Sequence, residues 1–299
     1  MGRWRLMGVS VWLGAFLVAC MATRQPARSL PTPIAPATVP VDLPTPTLQI
    51  LPVVPTLTPT AAAVTATPVP DTGWQLLRAG LERRIIRLMD DNERLLERLY
   101  LLRLEPELYR WTVAYRPGEG QSLAAWQAET GALLLVNGGY FTEEMIATGR
   151  MVVAGAGYGT SYQGFGGMLA VTADSVEIRS LVERPYDASE PLQYALQSFP
   201  LLVKPGGGIG FPEEDGRRGR RTVMAMDGNG RLLFILAPNG SFTLHELSRY
   251  LVESDLDLEI ALNLDGGTST GLRLAEPAEE IPAFVPLPVV IAIYGRGGE

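Results

Sequence analysis

The hydrophobic pattern over the last three quarters of the chain is dominated by short apolar runs between polar turns. Tyr109, Trp111, Val113 and Tyr115 fall on one face, alternating with Arg110, Thr112 and Ala114, the period of a strand. Ala132–Val136, Met168–Val171, Ser175–Leu181, Ile260–Leu264 and Pro288–Tyr294 are runs of strand length. Thr222–Met226 and Arg231–Ala237 flank Asp227-Gly228-Asn229-Gly230, a hairpin signal. Helices are fewer. Ser122 is placed to cap a helix to about Glu129, closed by Gly131. Thr243 with Glu246 three residues on forms a capping-box pattern for a helix to about Ser254. The pattern predicts an α+β fold, a strand-rich mixed sheet with a few packed helices.

One segment reads two ways. Leu81, Leu88, Leu95 and Leu102 recur every seven residues, with Ile85, Asn92 and Leu99 between them, the seam of a short coiled coil. Ile86, Met89, Leu96, Tyr100 and Leu101 fall off that stripe, and Asp90-Asp91-Asn92 is a turn-forming cluster that would split the segment into two strands.

The N-terminal part follows different rules. Arg3 and Arg5 precede an uncharged run, Leu6–Ala19, shorter than the roughly 20 residues of a permanent membrane span. A basic start and short apolar core read as a secretory signal. Small residues leading into Cys20, the chain's single cysteine, match a bacterial lipobox and predict lipidation there. Residues 21–70 hold 12 of the 24 prolines, so this stretch reads as an extended spacer of up to roughly 150 Å. The expected organisation is therefore a signal peptide over 1–20, a Pro/Thr/Ala-rich linker over 21–70 and one domain over 71–299. An extracytoplasmic chain, touching the membrane through its lipid anchor alone, follows from that reading.

Composition narrows the chemistry. A net charge of −7 argues against a sequence-independent grip on nucleic acid. One cysteine and one histidine exclude a Cys/His zinc site. The carboxylates are of a kind that holds Mg²⁺ or Ca²⁺ through oxygen, although no EF-hand spacing is present. Gly155-Ala156-Gly157-Tyr158-Gly159 lacks dinucleotide-binding spacing. Two places share one architecture, an apolar strand running into a polar residue and two glycines: Asn137-Gly138-Gly139 and Asp265-Gly266-Gly267. Strand ends give side chains a rigid support, and paired glycines let backbone approach a ligand, although tight turns have the same sequence. Asn263 alternates with Asp265 and so shares its face.

These residues also carry a resemblance. Asn137-Gly138-Gly139-Tyr140-Phe141, the Arg221-Thr222 pair, Ser198–Val203 and Leu262–Thr270 resemble signature segments of the phosphodiester glycosidase family. Gly80-Leu81-Glu82-Arg83 matches the strand on which members open, which decides the ambiguous segment in favour of a hairpin. Two positions depart from the family pattern: Thr268 stands where a third glycine is usual, and Leu272–Pro288 is short and Pro-rich.

The resemblance implies hydrolysis of a sugar 1-phosphodiester from an envelope glycan or polysaccharide. Asp265 would be the essential carboxylate, supporting an oxocarbenium-like centre. Arg221 would clamp the phosphate with its planar fork of donors. Asn137 and Asn263 would orient sugar hydroxyls or phosphate. Gly138, Gly139, Gly266 and Gly267 would offer N–H groups, with Thr222 and Ser269 as further contacts. Glu143 and Glu144 read as a solvated loop in preference to a second carboxylate, Lys204 as a loop charge in preference to a phosphate contact, and His245 as a surface or packing residue in preference to a base. Arg217-Arg218-Gly219-Arg220-Arg221 reads as a solvated loop able to guide an anionic polymer. A non-catalytic glycan-binding module is the competing reading. The sugar, the bond broken and the oligomeric state are not legible.

Overall fold

The computed structural model describes residues 69–296. The signal sequence with Cys20, and the linker apart from Val69 and Pro70, lie outside the described residues. Within them no helix is long and apolar enough to cross a membrane.

Among the described residues the folded unit is built from three antiparallel sheets and two α-helices. The largest sheet runs Gln75–Arg78, Leu81–Met89, Leu95–Leu104, Leu232–Phe242, Gly219–Asp227, Leu258–Asn263, Leu201–Lys204 and Gly208–Ile209. The second runs Ala156–Tyr158, Met151–Val153, Tyr194–Ser198, Gly167–Val171 and Val176–Ser180. The third runs Glu279–Ile281, Leu272–Leu274, Leu134–Asn137, Val289–Gly295 and Tyr109–Tyr115. The one mixed sheet expected from sequence is thus replaced by three antiparallel ones. Hairpins join many of the neighbouring strands, and neither helix serves as the crossover that a parallel pair requires.

The segment with a heptad-like pattern is a hairpin, with Leu81 paired to Leu104 and Leu88 to Glu97. Its turn is held by the Asp90 carboxylate, which accepts from the N–H groups of Asn92 and Arg94 at 2.9 and 2.8 Å. Glu93 there takes a positive φ of 58°. Leucines spaced by seven land on alternate faces of a strand, since seven is odd. Residues on and off the helical stripe are therefore buried alike: Leu99 and Leu101 on one face, Tyr100 and Leu102 on the other.

That two-sided burial explains the continuous apolar runs. Leu232, Phe234 and Leu236 face a core shared by all three sheets, with Trp111, Val136, Leu169 and Ile291. Leu233, Ile235 and Ala237 face the helix Leu244–Glu253 through Leu247 and Leu251. The helix Leu123–Thr130 covers the outer face of the third sheet, placing Leu123 and Trp126 on Leu135, Val290 and Ala292. Both caps form as the sequence predicts: Ser122 accepts from Ala125 N–H at 3.1 Å, and Gly131 closes the helix at φ 66°. Thr243 accepts from Glu246 N–H at 3.1 Å while the Glu246 carboxylate accepts from Thr243 N–H at 3.0 Å. Thr243→Ala is expected to cost about 1–2 kcal/mol in urea denaturation. The same hydroxyl also donates to Glu214 at 2.8 Å, so the loop before Gly219 loosens with it.

Candidate active site

The two glycine motifs meet where the third sheet abuts the largest one. Asn137, the last residue of its strand, is fully buried. Its amide nitrogen donates to the Asp265 carbonyl at 2.7 Å. Its amide oxygen accepts from the Thr222 hydroxyl at 2.8 Å and from Gly271 N–H at 3.0 Å. Asp265 N–H donates to the Gly138 carbonyl at 3.1 Å, and Leu264 N–H to the Thr222 carbonyl at 2.8 Å. One side chain therefore joins three strand ends to the acidic loop.

The surroundings of the residues singled out from sequence differ. Asn137 and Thr222 are buried and direct their polar atoms to each other and to backbone, which ties them to the acidic loop. Gly138 N–H donates to the Val289 carbonyl at 3.1 Å, and a Cβ there would lie 2.8 Å from Val289. A Cβ on Gly139 would lie 2.8 Å from the Gln197 carbonyl oxygen. The first glycine pair thus answers to close packing within the protein. Gly266 N–H is likewise taken, by the Asp265 carboxylate at 2.9 Å, and its missing Cβ makes room for the Arg220 carbonyl at 2.8 Å. Gly267 is exposed at φ 59° with open space around it.

Around this frame stand the groups that remain for chemistry. Burial raises the pKa of the Asp265 carboxyl, and the Ser269 hydroxyl with Gly266 N–H hold part of that rise back. Arg221 emerges beside a register shift between Gly219 and Arg221, a bulge of the kind that re-aims a side chain at a sheet rim. Its guanidinium donates to the carbonyls of Phe242 at 3.3 Å and Arg217 at 2.5 Å. Burial lowers its pKa, opposed by Tyr140 and Asp215. Tyr140 is the third group of the set. Its phenol is pushed well above its usual value by burial and then by Asp265, with Arg221 pulling the other way. Asn263 fixes the ring by donating to the phenol oxygen at 2.7 Å, and to the carbonyls of Leu264 at 2.7 Å and Phe199 at 3.2 Å. An Arg221 guanidinium nitrogen lies 4.0 Å from where a Cβ of Gly266 would stand, so a desolvated guanidinium reaches the loop that carries the desolvated carboxylate, and neither is ion-paired with the other. Such a pair suits a ligand that carries an electron-poor carbon next to an anion.

Tyr140 belongs to the first glycine motif, where sequence assigns it no role; its place directly after Gly-Gly is the signal that marks it. The basic cluster is not the uniform solvated loop that sequence suggests. Arg218 pairs with Glu246 at the helix cap. Arg220 donates to the Pro282 carbonyl at 2.9 Å and sits 4.1 Å from the centre of the Phe284 ring. Glu143 and Glu144 are exposed, Lys204 is exposed at a strand end, and His245 Nδ1 lies 3.1 Å from the Phe211 carbonyl oxygen. Among the described residues no three His, Cys, Asp or Glu side chains converge, so an Mg²⁺ or Ca²⁺ cage of carboxylates is not formed here. A groove of about 1260 Å³, bordered by Arg110, Leu133, Thr172, Tyr194 and Tyr294, lies at the opposite end of the strand from Asn137.

A family model described as phosphodiester glycosidase matches residues 130–294. No curated protein matches the chain. Among solved structures, the chain is similar to the catalytic domain of zebrafish N-acetylglucosamine-1-phosphodiester alpha-N-acetylglucosaminidase, auto-inhibited by its pro-peptide. That match has a TM-score of 0.58 and 17% identity, covering 72% of this chain and 83% of the other. A hypothetical protein from Synechocystis matches with a TM-score of 0.52 and 13% identity, over 73% of this chain and 62% of the other. At these identities the two structures show the shared fold.

Proposed function

The chain belongs to the phosphodiester glycosidase family, and on that premise we propose that it hydrolyses glycosyl 1-phosphodiesters, releasing a sugar and leaving a phosphomonoester. The observation that carries this reading is that Asp265 and Arg221, both desolvated and not paired with each other, meet at one loop, with Arg221 Nη1 4.0 Å from where a Gly266 Cβ would stand.

Each group has a distinct task. The ionised Asp265 carboxylate, poorly solvated, gains most when positive charge develops on the anomeric carbon, an interaction stronger in the transition state than in the bound substrate. Arg221 binds the departing phosphate, whose low basicity lets a cation replace much of the work of a general acid. Tyr140 stays protonated because its pKa is raised, and with Asn263 donating to its oxygen, its own proton is directed to a substrate oxygen. Ser269 and Gly266 orient the carboxylate.

The zebrafish enzyme is named for N-acetylglucosamine-1-phosphodiester, which makes a methyl diester of that sugar phosphate the first compound to try. The purified chain is expected to release reducing sugar from it. Failure to turn over any sugar 1-phosphodiester would sink the proposal. Because burial raises the Asp265 pKa, kcat/KM is expected to climb with pH through a midpoint above the ordinary aspartate value of about 3.9. A profile flat across that range would remove Asp265 from its assigned role.

The basic leader, Cys20 and the proline-rich stretch support a chain tethered outside the cytoplasm, acting on envelope glycans. Mass spectrometry of the mature N-terminus is expected to find a lipid-modified Cys20; an unmodified N-terminus elsewhere would contradict the anchor.

A further inference from the structure

Beside the site lies a set of aromatic rings that the mechanism does not use. Phe199 packs 4.7 Å from Tyr140, between ring centres. Tyr162 and Phe165 stack on each other at 5.0 Å and 28°, and both meet Phe199 edge-on, at 5.3 and 5.5 Å. Phe165 closes the series at the surface, 46% exposed. A continuous aromatic wall therefore runs from solvent to Tyr140, the tyrosine whose phenol Asn263 holds.

A lone exposed phenylalanine needs no explanation. This one is held out by several independent structural devices. Gly164 and Gly166, on either side, take positive φ of 72° and 80°. A Cβ on Gly166 would lie 2.6 Å from the Ser198 carbonyl oxygen, so the backbone passes where only glycine fits. Gln197, itself 2% exposed, spends its amide on the same loop. Its oxygen accepts from Tyr162 N–H at 2.9 Å and its nitrogen donates to the Ser161 hydroxyl at 2.9 Å. Thr148 and Tyr162 share a hydroxyl–hydroxyl bond of 2.8 Å. The wall carries no formal charge. The hydroxyls of Tyr162 and Ser161 belong to the loop that carries Phe165, and the Thr148 hydroxyl bonds that of Tyr162, which suits a ligand that is flat, neutral and hydroxylated.

We infer that the wall of Tyr162, Phe165 and Phe199 is a binding subsite for neutral sugar rings linked to the reacting phosphodiester. The preferred substrate is then an oligosaccharide or polysaccharide phosphodiester rather than a single sugar phosphate. The inference rests on the hydrolase reading for the position of the reacting bond. Pyranose rings would lay their C–H faces on the aromatic rings, and the hydroxyls beside them would take the equatorial oxygens.

The test uses the full chain as wild type, Phe165→Ala and Phe165→Trp, with three N-acetylglucosamine 1-phosphodiesters whose alcohols are methanol, maltotriose and decanol. Calorimetric binding of phosphate-free maltotriose is measured in parallel. Wild type is expected to favour the maltotriose diester over the methyl diester about tenfold in kcat/KM. Phe165→Ala should collapse that ratio towards one, and Phe165→Trp should keep it. A ratio near one in wild type, or one that Phe165→Ala leaves unchanged, overturns the subsite. Preference for the decyl diester instead overturns it in favour of a lipid-facing surface. If no diester turns over, maltotriose binding that Phe165→Ala abolishes upholds the subsite while the hydrolase reading falls; absence of binding overturns the subsite as well.

Discussion

Asp265→Asn is expected to lower kcat/KM on a sugar 1-phosphodiester by about 10³-fold or more, on the scale seen when a charge-bearing catalytic group is neutralised, while the protein stays folded. The stability half of this prediction follows from the same burial that makes the carboxylate effective. Its pKa in the folded protein is raised. A group raised in this way contributes stability that is fully present below its unfolded value, about 3.9, and lost as pH rises through the folded pKa. At neutral pH the ionised Asp265 is therefore a burden on the fold. The neutral amide introduced by Asp265→Asn carries no such burden, so the variant should melt no lower than wild type at pH 7, with any advantage shrinking as the pH falls towards about 3.9. The backbone hydrogen bonds of Asp265, from Asn137 and to Gly138, do not involve the carboxylate and should survive. Thermal melts at several pH values, alongside kinetics, check both halves. Inactivity with a collapsed fold would show the residue to be structural.

Asn137→Leu is expected to be the most destabilising of these substitutions, by about 3–5 kcal/mol in urea denaturation. Leucine fills a similar volume but leaves the Thr222 hydroxyl, Gly271 N–H and Asp265 carbonyl without the partner each has now. Thr222 and Gly271 are buried and Asp265 is partly so, so the first two lose a hydrogen bond with no water to replace it. Activity should fall along with stability, because the same side chain sets the height of the Asp265 loop. Asn137→Asp separates the effects: it keeps an oxygen for Thr222 and Gly271 but presents no N–H to the Asp265 carbonyl. Its loss of stability and turnover should be substantial. A ligand-facing Asn137 would instead give variants with normal urea midpoints and impaired KM.

The strands and caps were legible because their causes are local. Ser122 with Gly131, Thr243 with Glu246, and Asp227-Gly228-Asn229-Gly230 each act over a few residues, and each appears where the pattern put it. The partition into three sheets was not legible. Which apolar run pairs with which depends on contacts far apart in sequence, such as Leu236 with Tyr100 or Ile291 with Val136. The hairpin at Leu272–Leu274 and Glu279–Ile281 was hidden in a segment read as short and Pro-rich, since two three-residue strands give almost no periodicity.

The candidate site was legible in its members more than in their duties. Asn137 is hydrogen-bonded to the Asp265 carbonyl, and Arg221 Nη1 lies 4.0 Å from where a Gly266 Cβ would stand. Polar residue type could not show that Asn137 and Thr222 point into the protein while Arg221 points to its rim; that depends on the bulge at Gly219–Arg221 and on which strand packs behind Gly138. The aromatic wall was hidden for the same reason, since Tyr162, Phe165 and Phe199 come from two separate segments.

The role of Asp265 turns on which bond breaks. Hydrolysis by the purified chain in ¹⁸O-labelled water, read by mass spectrometry before the free sugar exchanges its anomeric oxygen, decides it. Attack at the anomeric carbon, supported by Asp265, predicts label on the released sugar and none in the phosphomonoester. Label in the phosphomonoester would mean attack at phosphorus, and would contradict the role given to the carboxylate.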